Sequence, residues 1–143
     1  MVTANRRQAR EWVVQLLFQL DMNPAEDLEM RLTRFWEETP STANAREFAE
    51  RLVRGVLEKR ESIDTVIQNL AEHWEIGRMG VIDRSVLRMA MYEIMFCDDI
   101  PAVVSINEAV DIAKYFSNTE SGRFVNGILD KARKDFDVSQ QTQ

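Results

Sequence analysis

Apolar residues recur at helical spacing from the first turns of the chain onward. Ala9, Trp12, Val13, Leu16, Leu17 and Leu20 fall at i, i+3, i+4, i+7, i+8 and i+11, one stripe of an α-helix, with Thr3 or Asn5 as candidate caps. Asn23-Pro24 ends that segment in a turn. The pattern predicts a second helix from about Ala25 to Glu37, with Leu28, Leu32, Phe35 and Trp36 inward. A third, capped by Ser41 or Thr42, carries Phe48, Leu52, Val53, Val56 and Leu57 to about Arg60. Glu61-Ser62 reads as a joint, with Ser62 as a cap, and Ile63, Val66, Ile67 and Leu70 line a fourth helix ending near His73-Trp74. Gly77 and Gly80 bracket a short turn. From Val81 to Phe96 the chain is apolar almost all round, the mark of a central helix. Past a loop at 97–101, Ser105 and Glu108 have capping-box spacing before a helix that places Ile106, Ala109, Val110, Ala113 and Phe116 on one face. After a loop at 117–119, Phe124, Val125, Ile128, Leu129 and Ala132 define the last helix. No period-2 strand of useful length and no internal repeat interrupts this order. The predicted fold class is all-α, a compact bundle of about seven helices in two helical halves. The halves span about 1–60 and 61–137 of a single domain at 1–137, and residues 138–143 are predicted to form a disordered tail.

Composition narrows the function more than the fold. With 143 residues, 45% hydrophobic and 29% charged, the chain fits one ordinary globular domain. No apolar run approaches the roughly 18–20 residues of a membrane span, and the first residues lack the apolar core of a secretory signal. The single cysteine, Cys97, suits a reducing cytoplasm, the predicted location, with no membrane partner. One histidine, His73, and one cysteine leave a zinc set or a nucleophilic triad without parts, and no glycine-rich phosphate loop is present. The reading is therefore not an enzyme, with no catalytic residues, no metal and no cofactor. A net charge of −6 argues against nonspecific coating of nucleic acid, which rests on summed phosphate contacts. It leaves room for a local basic site. Arg6, Arg7 and Arg10 precede the first acid, Glu11.

Those arginines share one arc of the first helix and flank its apolar stripe. Planar guanidinium forks suit phosphate contact and base stacking. Cations at a helix N-terminus oppose its dipole, which points to a compensating external anion; the plain alternative is a solvated first turn. Phe18 lies off the main stripe, on the side of Val14 and Arg7. It is either covered by another helix or exposed for a partner, and the second is the expectation. Phe116, Glu120, Arg123 and Phe124 cluster around the loop between the last two helices, where aromatics beside an arginine could stack unpaired bases. Phe116 also fits core packing. Asp83 opens the central helix, where an acid favours the dipole. Asn126-Gly127 reads as structural, the glycine permitting close helix approach.

Four segments, RRQAREWVVQLLF at the start, then RMGVIDRSVLRMAMYEI, DDIPAVVSINEAVDIAKYF and SGRFVNGILDK, together resemble the NusB family of bacterial transcription antitermination factors. The resemblance implies that Arg6, Arg7 and Arg10 are the principal RNA contact and that Phe116, Arg123 and Phe124 add loop contacts. It implies that Phe18, where the family usually has tyrosine, together with Asp83 and Glu120 faces a protein partner. The implied ligand is a boxA-type single-stranded RNA of ribosomal RNA leader transcripts. It would be bound with the ribosomal protein NusE, joining RNA polymerase and other Nus factors; the chain itself would be a monomer or homodimer. Asn107 and Glu108, in the family's INEA segment, read as capping and packing. A rival reading is a helical interaction or regulatory module working with a separate ribosomal RNA methyltransferase, since no Rossmann-type pattern is present in these residues.

Overall fold

The computed structural model describes residues 2–141, and the side chains of residues 5–136. Among the described residues there are seven α-helices and no strand: α1 Val2–Met22, α2 Leu28–Glu38, α3 Ala43–Glu58, α4 Arg60–Leu70, α5 Val81–Phe96, α6 Ala102–Phe116 and α7 Thr119–Gln141. A single 3-10 turn at Ile76–Arg78 joins α4 to α5.

α5 is the centre of the bundle. It packs against α1, α3, α4, α6 and α7, and Val86, Leu87, Met89, Ala90 and Met91 are all buried. Its all-round apolar sequence has this cause: with five helices around it there is little face left for water. α1 packs on both α3 and α5, burying Val13, Val14, Leu16 and Leu17, while α6 and α7 pack closely on each other and on α5. Full burial of each large aliphatic chain, such as Leu16, Leu52 or Leu129, contributes about 1.5–3 kcal/mol before ordering costs are subtracted. The core is continuous across both predicted halves. One approach is unusually close: a Cβ on Gly55 of α3 would run into the Tyr92 ring of α5.

Several local expectations are corrected. α2 begins at Leu28, because Asp27 and not the 24–26 turn supplies the cap, accepting from the Met30 amide at 3.1 Å. Thr42 does cap α3, accepting from Ala45 N at 3.2 Å. The joint to α4 falls at Lys59, so Ser62 lies inside a helix, and α4 stops at Leu70. The Ser105–Glu108 pair is not a capping box: α6 begins at Ala102 behind Pro101, and both side chains bond to other helices. Gly127 is exposed, and a Cβ added there would meet nothing within 4 Å, so no helix approaches it. α7 runs to Gln141, and residues 142–143 of the predicted tail lie outside the described residues.

Candidate nucleic-acid interface

The three arginines of α1 meet three different environments. Arg10 points into the core and is 2% exposed. Its Nε donates to Glu93 Oε2 at 2.9 Å and its Nη2 to Glu93 Oε1 at 2.8 Å. Ser105 Oγ donates to the same Oε1 at 2.7 Å. This buried triad joins α1, α5 and α6, and both carboxylate oxygens of Glu93 accept from donors within it. Arg10 is therefore not available to RNA, contrary to the sequence reading. A partner 83 residues further along the chain supplies the missing anion, which nothing in the local sequence announces.

Arg7 is half committed. It donates to Glu108, and to Asp111 Oδ2 at 3.0 Å, both on α6. The Glu108 carboxylate, as acceptor, is the main reason the Arg7 pKa stands above its ordinary value. Burial pushes the nearby Glu11 carboxyl up. The anions that offset the α1 dipole are thus largely internal, and Glu108, expected to cap and pack, is a charge partner.

Arg6 differs from both. Among the described residues it has no carboxylate partner, and its guanidinium carbon sits 4.4 Å from the centre of the Phe48 ring. Phe48 is buried, and its ring, which Arg10 also approaches at 5.3 Å, orients the half-buried Arg6. A cleft of about 470 Å³ opens there, lined by Asn5, Arg6, Asn44, Ala45, Glu47, Phe48 and Arg51. Arg51 holds Asp99 across its end, through Nη1 to Oδ2 at 3.0 Å and Nη2 to Oδ1 at 2.5 Å. That contact depresses the Asp99 carboxyl to about 2. The α3 wall of this cleft is invisible in the sequence, because Asn44, Glu47 and Arg51 look there like the solvated side of an amphipathic helix.

A second cleft, of about 360 Å³, gathers Asp83, Glu120 and Phe124 with Trp74, Arg78, Met79, Gly80, Asn118 and Ser121. Three of the residues singled out in the sequence thus meet at one place. Trp74, 58% exposed, sets its ring edge-on to Phe124 at 5.9 Å. Asp83 Oδ1 is buried without a hydrogen-bond partner. The wall is fixed from behind: Arg84 donates to Asp21 Oδ2 at 2.9 and 2.6 Å and to the carbonyls of Ile76 and Met79 at 3.3 and 3.2 Å. Arg123 is exposed and Phe116 is half-buried; neither lines this cleft. Beside Phe116, Tyr115 is 74% exposed with its ring 5.2 Å away, an aromatic that helical periodicity alone does not single out. Phe18 is 38% exposed. Among the described residues no cluster of His, Cys, Asp and Glu could hold a metal, and no helix is long and apolar enough to cross a membrane.

The NusB family model matches residues 7–134. The chain belongs to the NusB family. It is 47% identical over 126 residues to the transcription antitermination protein NusB of Geobacter sulfurreducens, covering 88% of this chain and 91% of that protein. It is also 47% identical over 128 residues to NusB of Pelotomaculum thermopropionicum, covering 87% and 86%. Among solved NusB-family structures, that of T. maritima NusB superposes with a TM-score of 0.83 at 44% identity, over 90% of each chain. A crystal structure of antitermination factors NusB and NusE in complex with dsRNA matches with a TM-score of 0.82 at 26% identity, over 92% of this chain and 98% of that one.

Proposed function

We propose that this protein is a cytoplasmic, non-enzymatic antitermination factor that binds boxA-type single-stranded RNA of ribosomal RNA leader transcripts together with NusE. In that role it joins RNA polymerase and other Nus factors. The observation that carries the reading is the fate of the α1 arginines: Arg10 and Arg7 are engaged by carboxylates of this chain, whereas Arg6 is held on Phe48 and, among the described residues, has no carboxylate partner. An oriented guanidinium without an internal anion is poised for a phosphate or a base. Support also comes from the similar chain found with NusE and dsRNA. The partner face in this reading comprises Phe18, Asp83 and Glu120, and Phe116, Arg123 and Phe124 flank the RNA. Affinity is additive over the two ligands, since a bound partner lengthens the RNA-contacting surface. A titration with boxA-type RNA, with and without NusE, tests it. Tighter binding with NusE, and weaker binding by Arg6→Ala, are expected; no binding in either mixture overturns the reading.

A further inference from the structure

The cleft between α1 and α3 has walls of distinct chemistry. Arg6 offers a guanidinium on one side. Asn5 and Asn44 offer amides, which both donate and accept, and Glu47 offers acceptors only. Phe48 closes the floor, and Arg6 rests against that ring at 4.4 Å. Asn44 and Glu47 are exposed, and no hydrogen bond or ion pair within the described residues occupies the Glu47 carboxylate. The volume, about 470 Å³, lies within the roughly 300–1,000 Å³ of small-ligand sites.

We propose that this cleft seats one nucleotide of a single-stranded RNA, with its phosphate on Arg6 and its base edge between Asn44 and Glu47. The inference rests on the RNA-binding reading above and adds to it the α3 wall and the division of labour across the cleft. A phosphate sits at the Arg6 side, because the Glu47 carboxylate repels it from the other and Arg51, the second guanidinium of the lining, is already held by Asp99. The base edge facing Glu47 must present a hydrogen-bond donor, because a carboxylate can only accept. Asn44 satisfies the neighbouring position whichever group the base offers. The cleft therefore reads a base, while the exposed cations elsewhere position the backbone.

The sign of one substitution separates this from general electrostatics. Glu47→Ala removes a negative charge from an acidic protein, so charge alone raises RNA affinity. Base recognition lowers it instead. Asn44→Ala loses a neutral hydrogen bond, worth about 3- to 10-fold in affinity, and leaves the salt dependence of binding unchanged. Arg6→Ala lowers both the affinity and, by about 0.7, the slope of log affinity against log salt. None of the three side chains is buried, so circular-dichroism melts of the variants match the unmodified protein. The titration uses a boxA-type RNA and the full chain with NusE. RNA binding by the unmodified protein, with equal or tighter binding by Glu47→Ala and Asn44→Ala, overturns the cleft and leaves the RNA reading standing. Failure of the unmodified protein to bind overturns both.

Discussion

Arg6 and Arg10, one helical turn apart, show how a single side chain's surroundings decide its role. Arg10→Ala strands the Glu93 carboxylate, which is 0% exposed, so a stability loss of about 3–5 kcal/mol is expected in urea melts. Ser105→Ala removes only one of the three donors and is expected to cost about 1 kcal/mol. Arg6→Ala breaks no ion pair and should leave the midpoint nearly unmoved. A small loss for Arg10→Ala would mean that the buried pair contributes little. Phe18 gives a second contrast. With 38% of it exposed, Phe18→Ala should lose well below the roughly 3–5 kcal/mol of a fully buried phenylalanine, while weakening the complex with RNA and NusE. Denaturant melts beside binding titrations decide it, and a loss of several kcal/mol with normal binding by the folded fraction would place Phe18 in the core. The exposure of Phe18 was legible as a wheel position off the apolar stripe. The burial of Arg10 was not, because its partners lie on α5 and α6 and sequence spacing carries no sign of them.

Helices set the next level of control, and their glycines make it measurable. Gly55 and Gly127 both sit inside helices, where glycine costs about 1 kcal/mol relative to alanine. At Gly55 the Tyr92 ring occupies the space of a Cβ, so Gly55→Ala should destabilise by about 1–3 kcal/mol through overpacking. Shortening the opposing chain, Tyr92→Leu, should recover part of that loss. At Gly127 the space is open, and Gly127→Ala should stabilise by about 0.4–1 kcal/mol. Thermal melts of the two single variants should therefore move in opposite directions. Periodicity made α5 legible to its end residues, Val81 and Phe96, because burial on every side leaves an unmistakable apolar run. It misassigned Ser105 and Glu108, whose spacing matches a cap but whose side chains serve Glu93 and Arg7. A local motif and a long-range contact can use the same residues, and only the packing distinguishes them.

For the molecule as a whole, charge is arranged in pairs rather than patches. A net charge of −6 is compatible with anion binding because most arginines are matched internally and only a few face outward unopposed. The Arg51–Asp99 contact is one such pair, and it makes stability depend on pH in a defined direction. The folded Asp99 carboxyl is depressed from 3.8 to about 2 by Arg51. Its contribution is then fully present above 3.8 and is lost as pH falls toward about 2. Both side chains are substantially exposed, so the effect is small. Asp99→Asn should be slightly less stable than the unmodified protein near neutral pH, and the gap should close through that acid window. A gap that widens on acidification would reverse the assignment. Both clefts follow from this arrangement: their walls come from helices far apart in sequence, so single residues such as Asp83 and Phe124 could be picked out, but not the spaces they enclose.

The ion pairs on α1 have a mechanical corollary. Arg10 is tied to α5 through Glu93, and Asp21, eleven residues later, is tied to α5 through Arg84. Two rivets on one rod remove its freedom to slide or to turn. The rod then acts as a ruler: Arg6 and Phe18, twelve residues apart, are kept about 18 Å from each other along the axis at 1.5 Å per residue. A ligand pair that engages both must match that gauge. One residue inserted between the rivets would turn everything beyond it by about 100°, so that either Arg10 or Asp21 must let go.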